Sequence, residues 1–315
     1  MALGVIIMAG GIGKRMKSER VKVLHNLLGK PVLFYVVERA KSLNPDEIVV
    51  VYGKKGMEIK GMFSGIRYAY QEVPMGTGDA VMKALGEIEG FEGEIMVLSG
   101  DVPLLTEDTL NKLIQHHRNG GYKSTILTFY PPEPGAYGRI VREGDEVMRI
   151  VEARDATDEE LQIKEVNSGI YVFHSEYLRK GLTMIDNKNA QGEYYLTDVI
   201  QKIREMGGKV GGVPADDPFE VSGINTREEL SIVEDVLRKR IIKHFQENGV
   251  TFHMPDTIYI ETGVSIGEDT EIYPFCYIGG NTRIGRGCTI EPFCYLYDAM
   301  VKDGERVKAG KGING

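Results

Sequence analysis

The chain has 315 residues, with 38 Lys and Arg against 46 Asp and Glu, which gives a net charge of −8. At roughly 150 residues per domain this length suggests two domains, and the acidic balance argues against nucleic-acid binding, for which a basic surplus is typical. No stretch approaches the roughly 20 apolar residues of a membrane span, and the start, MALGVIIMAGG, lacks the features of a signal peptide. With three cysteines and no CxxC spacing, we expect a soluble cytoplasmic protein without disulfides that binds neither nucleic acid nor membrane.

The first 225 residues alternate apolar runs with amphipathic stretches. Runs rich in Val and Ile, bounded by Gly, Asp or Pro, predict strands at 5–8, 48–51, 95–98, 125–129 and 169–173. Helical patterns lie between several of them, at 31–42, 78–85 and 106–117. This alternation indicates an α/β domain with a mostly parallel sheet and helices on both faces.

A long helix is predicted next. Thr226 and Glu229 have the spacing of a capping box, an apolar stripe extends from Leu230 to Phe245, and Gly249 is a stop signal. We interpret 227–249 as a connecting helix between a first domain at 1–226 and a last domain at 250–315.

The last segment has a strict six-residue repeat. An aliphatic residue recurs at Ile260, Ile266, Ile272, Ile278, Ile284, Ile290 and Leu296 and, after a slip of one residue, at Val301, Val307 and Ile313. A mostly small residue follows each of the first seven by four positions, at Val264, Thr270, Cys276, Thr282, Cys288, Cys294 and Met300. The repeat predicts a parallel β-helix of a little over three triangular coils, in which the aliphatic side chains stack inward. The three cysteines occupy the small-residue position, so we expect buried, inert thiols.

The first candidate site is the glycine-rich segment MAGGIGKRM at 8–16, directly after the first predicted strand. Its glycines allow the backbone to approach a ligand and to offer N–H groups to a phosphate. The segment has neither a Walker A pattern nor the dinucleotide fingerprint. Five cations lie within nine residues of this acidic chain, at Lys14, Arg15, Lys17, Arg20 and Lys22. They favour a polyphosphate ligand over a purely structural turn.

The second candidate is Asp101, in the segment LSGDVPLL at 98–105. It follows an apolar strand at the carboxyl end, where open α/β sheets bind their ligands. A carboxylate near a phosphate-binding loop is a natural magnesium ligand, whereas a helix or turn cap is the alternative role for the same residue.

Nine segments then match a known family in order: MAGGIGKRM, VKVLH at 21–25, QEVPMGTGDA at 71–80, SGD at 99–101, AYGRI at 136–140, IVEARDA at 150–156, VNSGIYVF at 166–173, NAQGEYYLTD at 189–198 and VSGINTR at 221–227. With these the sequence resembles the bifunctional bacterial N-acetylglucosamine-1-phosphate uridylyltransferase / glucosamine-1-phosphate N-acetyltransferase family. The resemblance covers the first 227 residues. It implies a Rossmann-like nucleotidyltransferase domain with a mixed, mostly parallel sheet, followed by the connecting helix and a short left-handed parallel β-helix.

The resemblance also implies a role for individual residues. The nucleotide would be bound by Met8, Ala9, Gly10, Gly11, Gln71, Gly76, Thr77, Ser99 and Gly100, of which Gln71, Gly76 and Thr77 would read the uracil edge. Arg15, Lys22 and Asp101 would be catalytic, the two cations by clamping the triphosphate, and Asp101 and Asn225 would hold Mg²⁺. The sugar would be bound by Gly138, Glu152, Asn167, Tyr195, Thr197 and Asn225. Met8, Gly10 and Val21 depart from the usual Leu, Ala and Pro of the family without removing a functional side chain.

The implied reaction is magnesium-dependent transfer of UMP from UTP to N-acetylglucosamine 1-phosphate, a step in making cell-wall precursors, by a homotrimer. The acetyltransferase site of the family is built from later coils than the sequence contains, so we expect no acetyltransferase activity from this chain. Three alternatives stay open: the same reaction on glucose or N-acetylgalactosamine 1-phosphate, a non-catalytic regulatory subunit with the same fold, and an acyltransferase inferred from the repeat alone. The presence of Arg15, Lys22 and Asp101 counts against the second, and the missing coils count against the third.

Overall fold

The computed structural model describes residues 1–11 and 13–314, with the backbone alone for Lys14 and Asn314. The chain divides into two compact units, Met1–His25 with Val32–Asn225, and Asn26–Pro31 with Thr226–Gly315. The first unit ends one residue before the boundary of the expected first domain at 1–226, and it leaves out residues 26–31. Residues 26–31 form a two-stranded hairpin that groups with the second unit, where the Thr262 amide donates a hydrogen bond of 2.9 Å to the Leu28 carbonyl.

Among the residues that the structure describes, the first unit contains nine strands and six α-helices. The strands are β1 Leu3–Met8, β2 Glu47–Gly53, β3 Arg67–Gln71, β4 Glu94–Ser99, β5 Ser124–Phe129, β6 Arg139–Glu143, β7 Glu146–Val151, β8 Val166–His174 and β9 Val210–Pro214. The helices are α1 Val32–Ser42, α2 Thr77–Glu87, α3 Glu107–Gly120, α4 Asp158–Leu161, α5 Ser175–Leu182 and α6 Asp198–Glu205. All five predicted strands and all three predicted helices of this unit are therefore present.

The strands form one mixed sheet in the order β9-β5-β8-β4-β1-β2-β3, with β6 paired to β8 and β7. β1 is parallel to both neighbours, β2 and β4, and β3 is parallel to β2. β8 is antiparallel to β4 and β5. The carboxyl ends of β1, β3 and β4 therefore lie at the same edge of the sheet.

Both faces of this sheet are buried. In β1, Val5 and Ile7 pack into one apolar cluster with Leu33 of α1, while Ile6 packs into the other cluster with Val81 of α2. Alternate residues of a strand point to opposite faces, so a continuous apolar run such as that of β1 indicates a strand covered on both sides. This confirms the predicted α/β architecture.

Four strands were not predicted from the sequence. In β3 only Ala69 and Gln71 are buried, and β9 contains Gly211 and Gly212, which weaken a strand pattern. β6 and β7 form an antiparallel hairpin with several exposed or half-buried residues. Such segments lack the continuous Val and Ile runs that identified the central strands.

The second unit begins with helix α7, Arg227–Glu247. Its predicted capping box is present, because the Thr226 side chain accepts from the Glu229 amide and the Glu229 side chain accepts from the Thr226 amide. Arg238 donates a hydrogen bond of 2.9 Å to the Pro255 carbonyl, and the Tyr259 hydroxyl donates to Glu234 at 2.5 Å. The helix expected to be a connector is thus packed within the second unit.

After α7, the described residues of the second unit form a parallel β-helix made of eleven short strands, Thr251–Phe252, Tyr259–Ile260, Ser265–Ile266, Glu271–Ile272, Tyr277–Gly279, Arg283–Ile284, Thr289–Ile290, Tyr295–Tyr297, Met300–Val301, Arg306–Val307 and Gly312–Asn314. They stack as three sheets of four, four and three strands. Ile260 pairs with Ile278, and Ile278 with Leu296, so the aliphatic residues of successive coils lie one above another as predicted.

One small-residue position was assigned wrongly. Met300 is 67% exposed, and Ala299, which is 2% exposed, lies inside instead. The reason is the one-residue slip after Leu296, which places the inward-facing small residue one position earlier in the chain, at 299 instead of 300. The three cysteines are buried and free, as expected. Within the part of the chain that the structure describes, no helix is long and apolar enough to cross a membrane.

Candidate active site

A cleft of about 450 Å³ lies in the first unit where β1, β3 and β4 end. It is lined by residues that follow these three strand ends, by the start of α2, by the turn at 22–24 and by the loop before α6: Met8, Ala9, Gly10, Gly11, Lys22, Val23, Gln71, Pro74, Gly76, Thr77, Ala80, Ser99, Asp101 and Glu193. Every residue expected to bind the nucleotide is in this set except Gly100. That glycine lies between two of them, and its amide donates to the Met8 carbonyl at 2.9 Å.

The glycine-rich loop after β1 is shaped by close backbone contacts. Gly13 has a φ of 68°, and a Cβ there would lie 2.7 Å from the Cβ of Lys22. A side chain at this position would therefore collide with the segment that carries Lys22. Arg15 follows in a short 3₁₀ turn, Lys14–Met16, with its side chain exposed. The side chain of Lys14, also part of the predicted cationic run, lies outside the described residues.

Lys22 lies on a second 3₁₀ turn, Lys22–Leu24, which is fixed by the buried side chains of Val23 and Leu24. Val21, just before it, has a φ of −64°. Proline imposes nearly the same angle, so Val21 reproduces the backbone conformation that the family's usual proline favours. The turn is thereby anchored to the core while the lysine side chain extends into the cleft.

Three side chains far apart in sequence meet at the cleft. The Lys22 ammonium donates one hydrogen bond to Asp101 Oδ2 and another, of 3.0 Å, to Asn225 Oδ1. The side chains of Lys22 and Asp101 are only 15% and 16% exposed. Gly223 permits this arrangement, because a Cβ there would lie 2.9 Å from Asp101 Oδ2. The carboxylate and amide oxygens therefore converge on one positive charge.

Gln71 is held at the end of β3 beside the first turn of α2. Its side-chain nitrogen donates to Asp79 Oδ2 at 2.8 Å and to the Gly76 carbonyl at 3.2 Å. Gly76 has a φ of 106°, and a Cβ there would lie 2.5 Å from the Tyr194 carbonyl oxygen, so this position requires glycine. Thr77 accepts a hydrogen bond of 3.0 Å from the Leu196 amide.

A second group of predicted residues surrounds Glu152. The Thr197 hydroxyl donates to Glu152 Oε1 at 3.1 Å, and a Cβ at Gly138 would lie 3.6 Å from the same oxygen. Burial raises the pKa of Glu152, opposed by the Thr197 hydrogen bond and reinforced by the nearby carboxylates. The group forms a partly buried polar cluster, and the pKa of its carboxyl is raised.

Asn167 is linked to this cluster through β8. Its side-chain nitrogen donates to the Tyr171 hydroxyl at 2.7 Å, and its backbone amide donates to the Gly138 carbonyl at 2.9 Å. Tyr171 is buried, and the charge of Glu152 contributes to the raised pKa of Tyr171, after burial as the main cause. Tyr195 is also buried, and its hydroxyl accepts from Gln191 at 2.8 Å.

Comparisons with known proteins agree with the fold. A family model described as a MobA-like NTP transferase domain matches residues 5–155, and one described as a bacterial transferase hexapeptide (six repeats) matches residues 263–298. A crystal structure described as a glucose-1-phosphate thymidylyltransferase from Bacillus anthracis, in complex with sucrose, has a TM-score of 0.60. It covers 75% of this chain and 96% of that one at 19% identity, which supports the fold alone.

Two curated relatives share much more of the sequence. The "Bifunctional protein GlmU" of Thermoanaerobacter pseudethanolicus is 46% identical over 96% of this chain and 66% of its own length. The protein of the same name from Acetivibrio thermocellus is 44% identical over 97% of this chain and 67% of its own length. The chain belongs to the GlmU family. It spans about two thirds of the length of the relatives it matches.

Membership of the GlmU family confirms the resemblance that the ordered motifs indicated. It also identifies the two units as a nucleotidyltransferase domain and a left-handed β-helix of hexapeptide repeats. The individual residue assignments stay predictions, and the structure sorts them into two neighbourhoods. Asn225, expected to contact both metal and sugar, lies with Lys22 and Asp101; Gly138, Glu152, Asn167 and Thr197 form the other neighbourhood.

The magnesium ion implied by the GlmU family fits the residues present. Asp101 and Asn225 offer the oxygen ligands that Mg²⁺ prefers, and both already accept hydrogen bonds from one ammonium group. In residues 1–11 and 13–314 no group of three or more His, Cys, Asp or Glu side chains could hold a metal ion. Asp101 and Asn225 would each supply one oxygen, and substrate phosphates and water would complete the coordination.

Three residues of the site were not identified from sequence. Tyr171 holds Asn167, Asp79 holds Gln71, and Glu193 lines the cleft. All three lie inside the segments on which the family resemblance rests, so the sequence had already drawn attention to these segments. A sequence motif, however, does not show which side chain orients another.

Proposed function

We propose that the chain transfers UMP from UTP to N-acetylglucosamine 1-phosphate in the presence of Mg²⁺, giving UDP-N-acetylglucosamine and pyrophosphate. The observation that carries the proposal is the convergence of Lys22, Asp101 and Asn225 beside the glycine-rich cleft in a GlmU-family chain. A phosphate-binding loop, a cation and a pair of oxygen ligands are the groups that a nucleotidyl transfer between two anions requires.

In this reaction an oxygen of the sugar 1-phosphate attacks the α-phosphorus of UTP in line, and pyrophosphate leaves. The attacking phosphate is already ionised, so no general base is needed, and catalysis consists of positioning and charge stabilisation. Bound at Asp101 and Asn225, Mg²⁺ would offset the repulsion between the two phosphates. Lys22 and the exposed Arg15 would stabilise the charge that accumulates on the departing pyrophosphate.

The polar cluster around Glu152 is proposed to bind the sugar. A carboxyl with a raised pKa, a threonine hydroxyl and the amide of Asn167 together offer both donors and acceptors to hydroxyl and acetamido groups. Tyr195 and Thr197, which are two residues apart in the chain, are both buried, which limits their rotation. This preorganised set supports the acetamido sugar as the substrate.

The experiment that tests the proposal is pyrophosphate release by the full chain with UTP and Mg²⁺. N-acetylglucosamine 1-phosphate is compared with glucose 1-phosphate and N-acetylgalactosamine 1-phosphate. We expect release with N-acetylglucosamine 1-phosphate at a kcat/KM at least about tenfold above the other two. Equal or greater release with another sugar phosphate identifies that sugar as the substrate, and no release with any of them contradicts an enzymatic role.

A homotrimer is also proposed. The β-helix exposes the side chains of Phe275 and Phe293, which are 53% and 63% exposed and stack at 5.1 Å between ring centroids. Large exposed aromatic groups favour association. Light scattering is expected to give three times 35.0 kDa, and a molar mass equal to one chain contradicts the proposal.

A further inference from the structure

Gln71 could in principle present either end of its side-chain amide to a ligand. The carbonyl oxygen accepts hydrogen bonds and the nitrogen donates them, so the orientation of the amide decides which base edge it recognises. Gln71 is 4% exposed and lines the cleft. Its surroundings therefore decide what the cleft can recognise at this point.

Both partners of the Gln71 nitrogen are acceptors. Asp79 Oδ2 lies 2.8 Å from this nitrogen and the Gly76 carbonyl oxygen lies 3.2 Å from it. A carboxylate and a backbone carbonyl have no proton to donate, so neither could satisfy the amide oxygen of Gln71. The pair thus fixes the amide with its nitrogen turned toward α2.

The oxygen of Gln71 is turned the opposite way, toward the glycine-rich loop. A Cβ placed on Gly10 would lie 3.0 Å from Gln71 Oε1, and Gly10 also lines the cleft. Gly10 has no side chain beside this oxygen and both residues line the cleft, so a ligand that enters between them meets the acceptor end of the Gln71 amide.

We propose that Asp79 is a positioning residue that sets base selectivity, by holding Gln71 so that its acceptor oxygen meets the pyrimidine. The inference rests on the proposed function, in which the cleft binds UTP. Uracil carries an N–H donor at N3, which pairs with an acceptor. Cytosine carries a lone pair at N3, which an acceptor oxygen repels, and mismatched polar groups of this kind discriminate strongly between ligands.

Asp79→Asn tests the inference with little change of shape. An asparagine amide can donate as well as accept, so one of the two contacts that fix the Gln71 amide no longer requires an acceptor partner, and the amide can turn and offer its nitrogen to the base. Binding of UDP and CDP is measured by calorimetry, and kcat/KM for UTP and CTP by pyrophosphate release. We expect the preference for the uracil nucleotide to fall by about tenfold or more in both measurements.

Asp108→Asn is the matched control. Asp108 also lies in the first turn of a helix, α3, and its side chain is exposed. The substitution reproduces the loss of a negative charge near a helix N-terminus, and the ratio of UDP to CDP affinity should stay within about twofold of that of the wild type. A comparable loss of preference in this variant would assign the effect to general destabilisation and overturn the inference.

The double variant Gln71→Ala/Asp79→Asn shows whether Asp79 acts through Gln71. If it does, Asp79→Asn has no further effect on selectivity once the amide is absent. An equal loss of selectivity in both backgrounds overturns the inference, as does an Asp79→Asn variant that still prefers UDP. Because the calorimetry needs no turnover, failure of the proposed reaction is distinguished from failure of this inference.

Discussion

The two units of the molecule encode their structures in different ways. In the β-helix each inward position is specified by a local six-residue repeat. Ile260, Ile278 and Leu296 stack on one another because each occupies the same position in its hexad. In the first unit the groups at the cleft, Lys22 and Asp101, are separated by 79 residues, and Lys22 and Asn225 by 203. A repeat specifies a scaffold position by position, whereas the site depends on the complete sheet that brings separate loops to one edge.

The largest effect is expected for Asp101→Asn. The substitution removes the charged partner of Lys22 and one proposed metal ligand, so kcat for pyrophosphate release should fall by at least about 10³-fold. Asp216→Asn is the control, because Asp216 also pairs with a lysine, at 2.7 Å, but its side chain is 84% exposed. Near-normal turnover in Asp101→Asn would refute the role assigned to this carboxylate.

In the β-helix the largest effect should be on stability. Ile278 is fully buried between neighbours in the coils above and below, so Ile278→Ala should lower the free energy of unfolding by about 2–5 kcal/mol. Ile266→Ala, at a repeat position that is only half-buried, should cost less. Denaturant titration followed by circular dichroism measures both, and equal losses would show that the repeat does not determine the packing.

The first unit should also respond to acid through His117. Burial lowers the pKa of His117 to about 4, from an ordinary value of 6.5, so between these pH values the unfolded chain binds a proton that the native protein excludes. The free energy of unfolding should therefore keep its full value above pH 6.5 and decrease as the pH falls toward 4. His117 should account for up to about 3 kcal/mol of this decrease.

His117→Gln should make that part of the pH dependence smaller, while an amide can still contact the Thr125 hydroxyl, 2.9 Å from His117 Nδ1. His253→Gln in the second unit is the control, because the His253 side chain is 43% exposed. Stability curves from pH 4 to 7 compare the variants, and an unchanged slope in His117→Gln contradicts the argument.

Arg15→Ala should have a smaller effect, confined to chemistry. The exposed guanidinium is proposed to stabilise the leaving pyrophosphate, so kcat should fall by about 10²-fold. The KM for the sugar 1-phosphate should change by less than about threefold, because Arg15 is proposed to act on the transition state and not on the binding of the sugar phosphate. Steady-state kinetics with each substrate varied separates the two parameters, and a change in sugar affinity alone is incompatible with the assigned role.

Much of the scaffold was predictable because its signals are local. The central strands carry continuous apolar runs, and the hexads repeat without interruption up to Leu296. The edge strands β3 and β9 were missed because half-exposed or glycine-containing segments lack that signal. Met300 was misplaced because a one-residue slip changes which side chain faces inward.

The site was predictable only in part. The ordered motifs identified Gln71, Asp101 and Asn225 individually through a family resemblance. Sequence does not carry the hydrogen bonds by which Lys22 joins Asp101 to Asn225, or the orientation that Asp79 imposes on Gln71. Those depend on loops that approach one another only in the folded sheet.

The most direct test of the central claim is a competition between two sugar phosphates. The full chain is supplied with UTP, Mg²⁺ and equal concentrations of N-acetylglucosamine 1-phosphate and glucose 1-phosphate, and the nucleotide sugars formed are identified by mass. Because both acceptors compete for one site, the product ratio equals the ratio of their kcat/KM values. The account predicts UDP-N-acetylglucosamine as the dominant product, and a predominance of UDP-glucose, or no nucleotide sugar at all, would contradict it.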